Sequence, residues 1–120
     1  MDERVGRMRY MLLHSSNDNL EAGNAPDPDM LARADKVLEE MRQAGILLTA
    51  EGLMPSASGA RITFPGGEPR VVDGPFAETK ELVAGVSIIR VESKEEAVRW
   101  ALRFAEADPG TEITLLELAG

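Results

Sequence analysis

The chain carries a single histidine, His14, and no cysteine. An imidazole is the side chain that gives and takes a proton near neutral pH, so His14 is the candidate acid or base. A carboxylate must orient such a group, and Asp73 and Glu51 are the candidates for that part. Lys80 offers a charge for an anionic ligand, and Glu78 a second polar contact. The plain alternative for His14 is that it caps a strand end and points to water or a loop carbonyl. Absence of cysteine removes thiolate nucleophiles, thiolate metal sites and disulfides together. One imidazole without His-x-x-x-His or Glu-x-x-His spacing predicts no metal site. Gly66-Gly67 is too short and wrongly placed for a phosphate loop, so no cofactor is expected.

The polar groups around residue 78 follow a turn. Asp73 starts it, Gly74 permits unusual dihedrals, Pro75 fixes its own, and Phe76 covers apolar surface; these have structural reasons to be there. Turn geometry makes no such demand for Glu78, Thr79, Lys80 and Glu81, which leaves a ligand-facing role and a solvated or dimer-rim role both open. Trp100 and Phe104, four apart, read as core or dimer packing, and Met30, Met41 and Met54 as gap-fillers.

These groups must be held by one small domain. The chain has 120 residues, 43% hydrophobic and 28% charged, a globular composition. Residues 1–7 read as an N-terminal extension and 8–119 as a single domain. Thirteen basic against 21 acidic residues give a formal charge of −8, with the cations scattered. Nucleic acid is therefore not an expected partner, since phosphate neutralisation needs concentrated positive charge. No stretch approaches the roughly 20 apolar residues that span a bilayer, and Met1 to Gly6 lacks the apolar core of a secretory signal. The expected location is cytoplasmic, with no membrane partner.

The elements follow from periodicity. Met8 to Leu13 is almost wholly apolar, as a strand buried on both faces would be. Ser15 to Pro28 reads as a long polar loop ending in an N-cap at Asp27. Met30, Leu31, Ala34, Val37, Leu38 and Met41 mark an amphipathic helix closed by Gly45. Ile46 to Glu51 is a second strand. Ala60–Phe64 and Arg70–Asp73 flank a Gly-containing loop, an inserted hairpin. Val83 to Val91 is a further strand, and Ser93-x-x-Glu96 opens a helix whose stripe is Ala97, Val98, Ala101, Leu102 and Ala105. Thr111 to Leu118 is the last strand.

Without the hairpin the order is β-α-β-β-α-β, which predicts an α+β, ferredoxin-like fold. In that sheet the first two strands run parallel with the third antiparallel between them. Their ends predict that His14, Glu51 and the Asp73–Glu81 segment gather at one rim. The central strands are apolar on both faces, so the helix-free face needs an apolar cover. A second copy is the economical one, making a homodimer.

The run Val71-Val72-Asp73-Gly74-Pro75-Phe76-Ala77-Glu78-Thr79-Lys80-Glu81 resembles the signature of the DGPF group within the YCII-related family. The Met-Arg-Tyr-Met-Leu-Leu opening at Met8, Gly45-Ile46-Leu47-Leu48 and Gly85 support the resemblance over nearly the whole chain after Gly6. It implies a ferredoxin-like protomer pairing into a dimeric α/β barrel. Some relatives are thought to be enzymes using a His–Asp pair on the first helix, and others are associated with sigma-factor-like regulators. Here that helix stretch carries Ala34, Arg42 and Gln43, and the one histidine follows the first strand, so the pair does not transfer.

The leading functional expectation is a homodimeric small-molecule-binding domain with a pocket at the rim. The alternatives are an acid–base enzyme acting on a small polar or anionic metabolite through His14 and a carboxylate, and a regulatory interaction module.

Overall fold

A computed structural model describes residues 7–120, with Lys80 described by its backbone alone. The N-terminal extension up to residue 6 and the Lys80 side chain, one of the expected ligand contacts, lie outside the described residues.

Four strands form the main sheet: β1 (Met8–Ser15), β2 (Leu47–Gly52), β5 (Val83–Val91) and β6 (Ile113–Glu117). Their order is β2-β5-β1-β6, and every neighbouring pair is antiparallel. Because β1 and β2 both run antiparallel to β5, they are parallel to each other, which is the ferredoxin-like arrangement. The inserted strands β3 (Ala60–Thr63) and β4 (Arg70–Asp73) form a separate two-stranded sheet. Their connection turns through Gly66 and Gly67, both at positive φ, where a Cβ would be strained.

Three helices complete the fold: α1 (Asp18–Glu21), α2 (Pro28–Gln43) and α3 (Lys94–Ala107). Asp27 caps α2 by accepting from the Asp29 amide, and Pro28 takes the first turn, where its missing N–H costs nothing. At the other end Gly45, at φ 75°, donates to Arg42 O while Ile46 donates to Met41 O. That is the pair of bonds of a Schellman motif, which turns the chain directly into β2. Ser93 caps α3 through the Glu96 amide, and Glu96 in turn accepts from the Glu92 amide.

Alternation along the strands decides what is buried. Tyr10, Leu12, Ile89 and Val91 point to the helices and meet Val37, Met41, Ala97 and Phe104 in one core. On the opposite face Met11, Leu13, Val86 and Ile88 are only half-buried, and Leu116 is exposed. The protein measures 19 Å along its shortest axis, the thickness of one sheet and one helix layer, so among the described residues nothing covers that face. Its radius of gyration, 16.3 Å, exceeds the roughly 14 Å of a compact chain this long, in keeping with an open sheet and a projecting hairpin.

Three expectations need correction. The stretch expected to be loop holds α1, one helical turn capped by Asn17, whose side chain accepts from the Leu20 amide; its polar composition hides it. β1 continues past Leu13 because both β5 and β6 pair with it as far as His14. The stripe of α3 lies one residue aside from the expected one: Ala97, Phe104 and Ala107 are buried, whereas Val98 and Leu102 are exposed. The two large rings of the helix, Phe104 in the core and Trp100 packed against it, lie on this side.

Leu12 is 0% exposed at the centre of this core. Leu12→Ala is expected to lower the unfolding free energy by about 2–5 kcal/mol, read from denaturant titration.

Candidate functional site

The sheet has one rung where side chains are missing. Gly85 of β5 stands between His14 of β1 and Gly52 of β2. One pleat further along the same face, Ser87 stands between Leu12 and Ala50. Four small residues, Ala50, Gly52, Gly85 and Ser87, thus occupy helix-facing positions that Leu or Val would otherwise fill. A Cβ built on Gly52 meets nothing within 4 Å, and one on Gly85 meets only Glu51 O at 3.4 Å. The result is a cavity of about 520 Å³ between this floor and the N-terminal half of α2.

The walls are mainly apolar. Met30, Leu31, Ala34 and Leu38 of α2 form one side, and Leu20 comes from α1. Leu53 and Met54 follow β2, and Phe104 closes the base. Met30 and Leu31 therefore line the cavity; α2 joins the core only from its middle onward, at Val37 and Met41.

His14 is half-buried on the cavity wall, its ring edge-on to Phe104 with centroids 4.8 Å apart at 89°. Burial lowers its pKa below the usual 6.5, and the nearby carboxylate of Asp108 partly opposes that shift. His14 is consequently neutral at physiological pH, able to donate from one ring nitrogen and accept at the other. Asp108 ends α3 and is held by the Thr111 hydroxyl, which donates to Oδ2. Both Asp108 and Thr111 line the cavity.

The expected site residues divide. His14 and Glu51 both line the cavity. Glu51 pairs with Val86, so pleating directs its side chain to the face opposite His14. Asp73 and Glu78 are not among the described lining residues. Asp73 is exposed on β4 opposite Ala60, and Glu78 is exposed just before a 3₁₀ turn at Thr79–Glu81. The carboxylate bearing on the imidazole is Asp108, at the C-terminal end of α3, which was not among the expected site residues. Ser87 also escaped notice, though a lone hydroxyl inside Val-Ala-Gly-Val-Ser-Ile-Ile was a legible signal.

The Asp-Gly-Pro-Phe turn meets the mouth of the cavity through backbone and hydroxyl contacts. Gly74 packs so closely on Ser56 that a Cβ would lie 1.8 Å from its carbonyl oxygen. The Gly74–Pro75 peptide is cis. The Phe76 amide donates to Ser56 Oγ at 2.9 Å, and the Arg61 guanidinium lies 4.1 Å from the Phe76 ring centre. Ser56 in turn donates to Glu21 of α1 from both its hydroxyl and its amide. Thr79 Oγ1 donates to Asp18 at 2.7 Å, a second tie to α1. Among the described residues no group of three or more His, Cys, Asp and Glu side chains is placed to hold a metal ion. Among the described residues no helix is long and apolar enough to cross a membrane.

Strand order, crossing helices and inserted hairpin together define an α+β domain of ferredoxin-like topology with a pocket between sheet and first long helix. The pattern of the YCII-related domain family matches residues 8–117, and the chain belongs to that family. It is also similar to an uncharacterised protein of Rhizobium meliloti (strain 1021), 31% identical over 106 residues, covering 87% of this chain and 86% of that protein.

Two measurements probe this geometry. With one histidine in the chain, NMR titration of the His14 ring should give a midpoint below 6.5, lower still in Asp108→Asn. Because the unfolded chain binds that proton at the ordinary value and the folded chain only at lower pH, the stability of wild type relative to His14→Gln should fall as the medium is acidified through 6.5. Ser56→Ala, which strands the Phe76 amide, should cost about 1–3 kcal/mol in denaturant titration.

Proposed function

We propose that the protein is a homodimeric small-molecule-binding domain whose pocket is the cavity under α2 at the rim of the sheet. The observation carrying this reading is the open floor at Ala50, Gly52, Gly85 and Ser87 beneath a cavity of about 520 Å³. That volume falls within the usual range of ligand sites, and the mixture of apolar walls with a few polar groups is their usual composition. A core that merely packed would have filled the space, since interiors tolerate few voids larger than a water molecule.

The dimer is supported by the uncovered sheet face. Met11, Leu13, Val86 and Ile88 run along its two central strands, and Leu116 on β6 is 53% exposed. A contiguous apolar strip of this kind is uncommon on a monomer, and the same strip on a second copy complements it under two-fold symmetry.

A second reading, proton transfer to or from the bound molecule at His14, is favoured by one observation: the imidazole is desolvated on the cavity wall with a carboxylate acting on it. It would act as a neutral base, with Asp108 stabilising the charge it acquires.

Nile red, an uncharged dye that brightens in apolar surroundings, should bind saturably with one site per protomer. Gly52→Leu should abolish that binding with the melting midpoint unchanged or raised, because the new side chain enters empty space. Absence of saturable binding, or full binding by Gly52→Leu, overturns the pocket. Size-exclusion chromatography with light scattering should give twice the chain mass, and half that for Leu116→Arg; a monomeric wild type overturns the dimer.

A further inference from the structure

We infer that the pocket selects an uncharged, mainly apolar molecule whose single hydroxyl or carbonyl oxygen is held between Ser87 and His14. The inference rests on the pocket proposed above and names its ligand class and a specificity residue. Ser87 is 2% exposed, and its Oγ has no hydrogen-bond partner. A buried hydroxyl left unpaired loses its hydration without return, so a buried one in a folded protein is normally satisfied. Its neighbours on the sheet, Leu12 and Ala50, bring no polar side chain to it, and the floor beside it is the glycine rung. Ser87 lines the cavity with its Oγ covered in this conformation, so a group arriving there supplies the missing bond by drawing the hydroxyl round to another rotamer.

Register places His14 nearby. His14 pairs with Gly85 and Ser87 lies two residues further along β5, so the two side chains are diagonal neighbours on one face. Such neighbours lie about 7–8 Å apart, with their Cβ atoms somewhat closer, a separation that one oxygen can bridge by bonding to both side chains. Ser87 can donate or accept, and so can the neutral imidazole. Neither brings a full charge to meet an ionised ligand.

Charge around the pocket points the same way. The carboxylates lining it are Asp35 and Asp108, with Glu51 contributing its backbone, and no Lys or Arg lines it among the described residues. An anion entering would lose its hydration beside like charges with no cation to compensate. An alcohol or ketone loses little on transfer to the apolar walls and regains its one polar contact at the floor. This departs from the anionic ligand that Lys80 suggested in the sequence.

The test compares 1-octanol with octanoate, equal in chain length and different in charge, by calorimetry at pH 7.5. The wild-type protein should bind the alcohol at least tenfold more tightly than the acid. Ser87→Ala should weaken the alcohol about fivefold while keeping or raising the melting midpoint, since it removes an unpaired buried oxygen. Nile red binding by wild type with no preference for octanol over octanoate overturns the ligand class and leaves the pocket standing. Unchanged octanol affinity in Ser87→Ala overturns the role of Ser87, whose hydroxyl would then serve a buried water only. A protein that binds neither octanol nor Nile red overturns both inference and pocket.

Discussion

The register of β5 between β1 and β2 is the constraint on which the rest of the structure depends. By pairing Gly85 with His14 on one side and Gly52 on the other, it puts two residues without side chains in adjacent strands beside the only imidazole in the chain. Slipping β5 by one residue would exchange its faces, burying Val86 and Ile88 and sending Ser87 and Ile89 outward. Such a slip is opposed by the core, since Ile89 and Val91 are almost wholly buried against Tyr10, Leu12, Val37 and Met41. The apolar contacts at one end of the strand therefore hold open the empty rung at the other.

The helices are built to the same end. α2 is fastened at its C-terminal half, where Val37 and Met41 enter the core and the Schellman turn at Gly45 leads into β2. Its first turns rest on no bulky sheet residue, because the strands beneath carry Ala50 and the glycines. α3 supplies Phe104, which both fills the core and backs the imidazole, and it ends at Asp108, whose charge reaches His14. Solvation and charge thus oppose one another at a single ring, with burial the larger effect.

Much of this architecture was legible from patterning. Val83–Val91 stands where the sequence put it, Asp27 and Ser93 cap the helices they were expected to cap, and the β-α-β-β-α-β order fixed the strand sequence of the sheet. Periodicity could not see α1, whose four residues are too few to show a repeat, nor choose between adjacent stripes on α3, where small alanines lie on both. At the site, topology brought His14 and Glu51 to one rim, but strand pleating gave them opposite faces, a distinction that needs the register. Asp108 acts on His14, and Ser87 lies beside it on the sheet, across more than 70 residues of chain, which no local spacing encodes. Asp73 stays on the hairpin because β4 pairs only with β3.

The packing of Gly74 against Ser56 has a mechanical meaning. Ser56 is gripped on one side by Glu21, beside the cavity mouth, and on the other by the bend that ends the projecting hairpin. Hairpin and α1 are thereby joined at one serine, with Thr79 and Asp18 making a second tie beside it. Both ties are made by polar groups and none by a residue of the hydrophobic core, so the hairpin is anchored beside the cavity independently of the packing that holds the sheet to its helices.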